Sequence, residues 1–498
     1  MESVELWLSE AGAWIWGPMT PIVLLAGLVF TVVTGVVQVR MLPAMFRTLL
    51  DPPLKDENGE DRSVSTLAAF SISAAGRIGT ANIAGVSAAV AMGGAGAVFW
   101  MWVIALVGGA TAFVESSIAQ LYKVREGNAY RGGGAVVYEK ALGSRVMGVL
   151  FAVMVLICAG ISFNMLQANT IRVAVDEAIP TDAAWVNWAV AGVVAVLTAA
   201  VVLGGVRRIG HVAEGLVPFM AGAYLLLGLA IVVVNIDQVP DVFGQIFGQA
   251  FGAQAITAGS FMGMVMEGVK RAMFSNEAGM GLTGHAAASA SVSHPVKQGF
   301  AQTLGVYLDT LVVCTITAFI VLSANPRIGG EEASAELASA SIVDAVGSWG
   351  AIALAVILFT LAFTSVLADY YYGESNVQYL TRNKGLLTAF KLAFVALTFL
   401  GCLVEPTLLW SLADFLFPLL ALLTIGSLLV LLPKARWLLQ DYRAQEAEGR
   451  NPALTSDRMP TSWKGVTAWE PEDAMDHADA VEYRREQGLA PARDSVAD

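Results

Sequence analysis

Apolar runs of membrane-crossing length recur along the chain, near residues 17–37, 64–91, 96–121, 146–174, 185–204, 212–234, 256–291, 300–324, 344–379, 387–404 and 408–432. A helix needs about 20 such residues to cross the hydrocarbon core of a bilayer, so the pattern predicts an all-α polytopic membrane protein with eleven transmembrane helices. The second and seventh runs are interrupted, at Gly76-Arg77-Ile78-Gly79-Thr80-Ala81-Asn82 and at Ser275-Asn276-Glu277-Ala278-Gly279-Met280-Gly281. Irregular backbone at bilayer depth is tolerated only where it is buried in protein or lines a cavity, so both breaks point to a solute site. With the first run set aside, each break falls in the first helix of a set of five, and the odd number makes the two sets insert in opposite directions, as in an inverted repeat.

Loop charges orient this arrangement. Of the 29 basic residues, all but Arg172, Arg327, Arg77, Lys270 and Arg271 fall on one side, whereas the other side carries Asp176, Glu177, Asp182, Asp237, Asp241, Glu331, Glu332 and Glu336. The positive-inside rule then predicts an extracellular N-terminus (residues 1–16), a transporter domain (17–435) and an acidic cytoplasmic tail (436–498) in a plasma membrane of bacterial or archaeal inner-membrane type. No basic stretch precedes the first apolar run, so no cleavable signal peptide is expected.

Composition agrees with this class. The chain is 56% hydrophobic and 14% charged over 498 residues, with a formal net charge of -12, against about 25% charged residues in ordinary soluble domains. No basic, nucleic-acid-binding footprint is present. The polar, proline-containing tail reads as weakly ordered. Cys158, Cys314 and Cys402 lie far apart in apolar sequence, which argues for small core residues rather than disulfides or a metal cluster. His285 has no second ligand at metal spacing and is expected to be packed.

The breaks carry the candidate chemistry. An interrupted helix frees carbonyl oxygens, which suit a hard cation, and N–H groups, which suit a carboxylate. One site therefore suits sodium and an amino acid together. Thr80, Asn82, Ser275, Asn276 and Glu277 add polar groups; Asn164 and Gln167 share one helix face; Thr364 and Ser365 offer mid-span hydroxyls. The buried cations Arg77, Lys270 and Arg271 need partners, with Glu115, Glu267, Glu277, Asp309 and Asp369 as the available acids. Glu277 is assigned to stabilising its own break.

Several blocks in order carry a family resemblance: Gly79-Thr-Ala-Asn-Ile-Ala-Gly-Val86, Gly93-Gly-Ala-Gly-Ala-Val-Phe-Trp-Met-Trp102, Phe274-Ser-Asn-Glu-Ala-Gly-Met-Gly281, His294-Pro-Val-Lys-Gln-Gly299, Leu308-Asp-Thr-Leu-Val-Val-Cys-Thr315 and Tyr370-Tyr-Tyr-Gly-Glu374. From about residue 17 to 435 the chain resembles the sodium:alanine/glycine symporter family. The resemblance implies a LeuT-type 5+5 inverted repeat with one extra N-terminal helix and sodium-coupled import of alanine or glycine, with Na+ as the coupling ion and no organic cofactor. It places sodium on the carbonyls of Ala75, Ile78 and Leu361 and the hydroxyls of Thr364 and Ser365. It places the substrate against Thr80, Ala81, Asn82, Gln167 and the stretch Asn276 to Gly279. The chain departs from the family at Ala81, where glycine is usual; at Phe163, which fills pocket volume where glycine is common; and at Asp369, where tryptophan is usual. A cation- or proton-coupled carrier of another small solute is the nearest alternative. A channel and an intramembrane aspartyl protease using Asp309 and Asp369 are further ones, the last without a Gly-x-Gly-Asp context. Oligomeric state is not legible.

Overall fold

The computed structural model describes residues 2–127, 129–179, 185–251, 258–324 and 334–489. Asp182, Arg327, Glu331, Glu332, the first residues of the predicted seventh span and the tail beyond 489 lie outside the described residues.

Helix α1 spans Glu2–Val33, followed by α2 (Val37–Arg40) and α3 (Leu42–Leu49). The first interrupted span consists of α4 (Thr66–Arg77), a short 3-10 turn at Thr80–Asn82, and α5 (Ala84–Gly93). Helix α6 (Gly96–Leu121) leads into a two-stranded antiparallel hairpin, β1 (Val124–Glu126) and β2 (Ala129–Arg131), and then α7 (Gly134–Leu142). Next come α8 (Arg145–Ile157), a π-helical segment at Cys158–Phe163, α9 (Asn164–Ala178), α10 (Trp185–Val202), α11 (Val206–Val234) and α12 (Val239–Phe251). The second interrupted span is α13 (Ala258–Asn276) followed by α14 (Thr283–Ser289). After it run α15 (Pro295–Val306), a second π-helical segment at Tyr307–Cys314, α16 (Thr315–Ser323) and α17 (Ser334–Val346). The chain closes with α18 (Trp349–Leu380), α19 (Lys384–Gly401), α20 (Pro406–Ala447), α21 (Pro471–Ala474) and α22 (His477–Glu486).

Among the described residues, nine stretches are long and apolar enough to cross a membrane. The two interrupted spans are not among them. Helices α4 and α5 have only 12 and 10 residues, and the 19-residue α13 carries Glu267, Lys270 and Arg271.

The interrupted helices pack on each other crosswise: α4 lies against α14, and α5 against α13. First half against second half, twice over, means the two chains run antiparallel with their breaks side by side. Helix α6 packs against α13, α14 and α15, while α18 packs against α4, α9 and α11. The breaks are thereby walled in, and every described residue from Ala74 to Ala81 except the half-buried Gly76 is buried.

The ends of the chain differ from the sequence expectation. Helix α1 begins at Glu2, well before the predicted first span, because Trp16, Met19 and Phe30 form a buried stripe against α20 and the Trp16 indole donates to the Asp414 carbonyl at 2.9 Å. The tail boundary expected at 435/436 falls inside α20. The tail itself is packed rather than weakly ordered. Leu454 N–H donates to Ser293 O at 2.8 Å, and the fully buried Trp469 donates through Nε1 to Leu121 O at 3.0 Å. The buried carboxylate of Asp473 accepts from Tyr130 Oη at 2.6 Å and pairs with Arg125. An acidic average concealed a few well-spaced apolar anchors.

Lys123, just beyond α6, has its Nζ 4.0 Å from the Tyr130 ring centre and 4.1 Å from that of Trp469. Burial pushes its amine down to about 7, against the opposing pull of Asp473. An amine depressed in the folded state binds fewer protons there than in the unfolded chain, so stability rises with pH between about 7 and the unfolded value and is lost as pH falls through about 7. Trp469→Ala should release the tail at a cost of about 3–5 kcal/mol, seen as cleavage after residue 447 in limited proteolysis. Lys123→Met should remove the pH dependence of that cleavage near neutrality.

Candidate functional site

The first break is held open by its own side chains. Helix α4 ends at Arg77, Gly79 is extended, and its N–H donates to Asn82 Oδ1 at 2.9 Å. Thr80 N–H donates to Gln167 Oε1 at 3.3 Å, joining the break to α9. Gly79 is required by close approach: a Cβ there would lie 2.4 Å from Ser365 Oγ and 3.2 Å from Gln167 Nε2. Ala81 is buried beside it.

The oxygens of the expected ion site converge at this point. Ser365 Oγ donates to Ala75 O at 2.8 Å and to Leu361 O at 3.0 Å. Thr364 Oγ1 donates to Leu361 O at 2.9 Å and also contacts Met220 Sδ at 3.1 Å. Ile78 is buried, with its N–H donating to Ala74 O at 2.8 Å. The Leu361 carbonyl thus meets both α18 hydroxyls, and Ser365 Oγ links it to the Ala75 carbonyl of α4, hard oxygens of the kind that suit an alkali cation.

The second break depends on left-handed backbone. Glu277 has φ 55°, Gly279 83° and Gly281 76°. Glycine reaches such angles without strain, whereas Glu277 does not. Asn276 supports the break locally: its Oδ1 accepts from Ala278 N–H at 3.0 Å and its Nδ2 donates to Thr310 Oγ1 at 3.1 Å. Glu277 Oε2 accepts from Tyr372 Oη at 3.2 Å. The N–H groups expected to face a substrate carboxylate are met by the chain itself. Glu115 of α6 accepts from Gly279 N–H at 3.0 Å, Gly284 N–H at 3.1 Å and Thr283 Oγ1 at 2.8 Å, so its carboxylate caps α14.

One residue joins both breaks. Asp309 Oδ1 accepts from Asn82 Nδ2 at 2.6 Å, and its Oδ2 accepts from Ser275 Oγ at 2.8 Å and Thr310 Oγ1 at 2.7 Å. Asp309 and its neighbour Thr310 lie in a π-helical segment, and Thr310 Oγ1 accepts from Asn276 Nδ2 of the second break at 3.1 Å. The sequence marked Asp309 as a buried acid, within one of the family blocks and in the protease alternative, but not as a link between the breaks. A polar Asp-Thr pair inside an apolar run was the available signal.

Other expected residues separate. Gln167 reaches the first break, but Asn164 turns to α19, donating to Phe394 O at 3.1 Å and accepting from Thr398 Oγ1 at 2.8 Å. Both residues lie in the first turn of α9, just after the π-helical segment that ends at Phe163, and their side chains meet different neighbours. Phe163 stacks on Phe417 and Phe274, with ring centres 4.3 and 5.5 Å apart, forming an aromatic wall that ends two residues before Asn276. Lys270 pairs with Glu267 at 2.7 Å and Asp414 at 3.0 Å, and Arg271 lies 3.3 Å from Asp414. Arg77 finds a carbonyl instead, donating to Gln302 O at 2.9 Å, and its Nε and Nη2 have no hydrogen-bond partner among the described residues. His285 is packed, between Leu282 O and Asn376 Nδ2. A cavity of 390 Å³ lies elsewhere, lined by Arg125, Arg131, Lys140, Arg145, Tyr379 and Arg382 at the hairpin end of the molecule.

The family model for sodium:alanine symporters matches residues 1–456. The chain belongs to the sodium:alanine symporter family. It is 40% identical over 460 residues to the amino-acid carrier protein AlsT of Bacillus subtilis, covering 92% of this chain and 96% of that one. It is 38% identical to the probable sodium/glutamine symporter GlnT of the same organism, over 92% of this chain and 95% of that one. It is 35% identical to the sodium/alanine symporter AgcS of Methanococcus maripaludis, over 86% of this chain and 95% of that one. Membership makes the chain a multi-pass membrane transporter and not an enzyme.

Glu115→Ala should leave two buried backbone donors and the Thr283 hydroxyl unmet at a cost of about 1–3 kcal/mol each, lowering the melting temperature of the detergent-purified transporter. Glu115→Gln, which keeps one acceptor oxygen, should lose less. Gly79→Ala should displace the Ser365 hydroxyl and abolish transport while the protein still reaches the membrane, as read by uptake beside surface expression.

Proposed function

We propose that this symporter couples sodium entry to uptake of a small neutral amino acid, of which alanine or glycine are the simplest, by alternating access. The observation that carries this is the convergence of Ala75 O, Leu361 O, Thr364 Oγ1 and Ser365 Oγ beside the first break. When sodium is bound, these oxygens and the carbonyl of Ile78 turn lone pairs to the ion. When it leaves, the two hydroxyls bond the same carbonyls and α18 remains in register with α4. The ion would thereby stiffen the break that the amino acid contacts, and each solute would favour the other's binding.

The substrate in this reading lies between the breaks, against Thr80, Ala81, Asn82, Gln167, Phe163, Asn276 and Gly279. Thr80 Oγ1 is fully buried and makes no hydrogen bond among the described residues, which leaves it available to a solute. The donor already satisfying Glu115 makes Gly279 a wall of the pocket rather than an N–H donor. The antiparallel packing of the interrupted helices supports a LeuT-type inverted repeat of five and five helices, with α1 as the additional helix of an eleven-span bundle. Basic residues crowd the ends that carry the tail, which supports an extracellular N-terminus and a cytoplasmic tail in the plasma membrane. Relatives named for sodium/proton-dependent alanine transport make the proton the alternative coupling ion.

Labelled alanine or glycine should accumulate in proteoliposomes only under an inward sodium gradient. Accumulation driven equally by a proton gradient without sodium would overturn the sodium assignment. Ser365→Ala and Thr364→Ala should each raise the sodium concentration for half-maximal uptake about tenfold, equivalent to ~1.4 kcal/mol of lost ion binding.

A further inference from the structure

Four buried carboxyl side chains surround the breaks, and three of them are supplied with donors. Glu115 has two backbone N–H groups and a hydroxyl, Asp309 has Asn82, Ser275 and Thr310, and Glu277 has Tyr372. Asp369 has none. It is 2% exposed, its Oδ2 has no hydrogen-bond partner, and among the described residues no Lys, Arg or His pairs with it. Its electrostatic neighbours are Cys158 at the start of the first π-helical segment, Glu277 of the second break and Tyr372. All three are acids, strong or weak, and none is a cation.

The position of Asp369 ties this unmet acceptor to the solute space. It stands one helical turn after Ser365, whose hydroxyl contacts Ala75 and borders Gly79. The adjacent Ala368 borders Gly76: a Cβ built on that glycine would lie 3.4 Å from the Ala368 methyl. This stretch of α18 therefore faces the first break, where Thr80 Oγ1 is likewise unpartnered. A buried acceptor without a donor costs free energy, and a carboxyl beside a solute space can be met there by a ligand, an ion or a proton. The ion oxygens lie one turn back, at residues 361–365, and the unpartnered Thr80 Oγ1 is the group of the break that this reading gives to the backbone end of a substrate. What remains for Asp369 is the end of the substrate's side chain.

We propose that Asp369 is a specificity-determining residue that accepts a hydrogen bond from the transported side chain, so that this carrier prefers a neutral amino acid ending in an N–H or O–H donor, such as a carboxamide or a hydroxyl, over an apolar one of equal length. The assignment rests on the symport reading above. Phe163, Phe274 and Phe417 form the apolar wall along which the methylene groups of such a side chain lie. The carboxyl then sits at its far end.

The experiment compares glutamine and serine with norvaline and alanine as competitors of labelled substrate in proteoliposomes, for the wild-type protein, Asp369→Leu and Asp369→Asn. The wild type should favour glutamine or serine over norvaline, and Asp369→Leu should weaken that preference tenfold or more. Asp369→Asn, which keeps one acceptor oxygen, should fall between them. Equal affinities for glutamine, serine and norvaline in the wild type, or a preference unchanged in Asp369→Leu, overturns the proposal. So does a shift in the pH profile of uptake in Asp369→Asn with the preference intact, which would mark a proton carrier. Ligand-induced thermal stabilisation of the detergent-purified protein by the same amino acids reads selection without transport. Stabilisation by glutamine or serine that is lost in Asp369→Leu, with no gradient-driven uptake, would sink the symport reading and leave this one standing. If Asp369→Leu does not fold, the Asp369→Asn comparison decides alone.

Discussion

A helix interrupted inside a bilayer has no water to meet its freed backbone groups, and that obligation governs the centre of this transporter. The chain meets it with side chains placed for the purpose. Asn82 reaches back to the Gly79 N–H, Asn276 to that of Ala278, and Glu115 crosses from α6 to the N–H groups of Gly279 and Gly284. Asp309 then links the two breaks through Asn82 and Ser275. A displacement of either break can reach the other through that carboxylate, which is one physical route by which the two solutes of a symporter become coupled.

Charge follows the same logic of local compensation, with a deliberate remainder. Lys270 and Arg271 are neutralised by Glu267 and Asp414, which also fastens α13 to α20. Around the breaks the balance is different. Arg77 faces a carbonyl, while Glu115, Glu277, Asp309 and Asp369 supply four carboxyls. In a poorly screened interior such an excess favours the entry of a cation. The hydroxyl and carbonyl oxygens near Ser365 provide the place where it would rest.

Much of this was legible in the chain because it is carried by local pattern. Apolar run length marked the spans, and Gly79, Gly279 and Gly281 with their polar neighbours marked both breaks. Thr364, Ser365 and Gln167 were legible because each is a polar group in an apolar run. Other features were hidden for a common reason. Hydrophobic pattern records which positions are buried but not which neighbouring helix each one meets, so the divergence of Asn164 from Gln167 and the convergence of Asp309 and Thr310 left no periodic trace. The tail misled through its average composition, since Leu454 and Trp469 each bury fully while their neighbours remain charged.

The sequence by itself determined that this is a polytopic membrane protein with two broken spans and polar groups at each break, because hydrophobic length and helix-breaking residues act within a few turns of chain. Only the tertiary structure decided which donor meets which acceptor: that the breaks lie side by side, that Glu115 occupies the N–H groups of the second, that Asp309 joins them and that Asp369 is left without a donor. Those outcomes depend on distances between residues as far apart as Asn82 and Asp309 or Ala75 and Ser365. Packing sets such distances, and no local pattern encodes them.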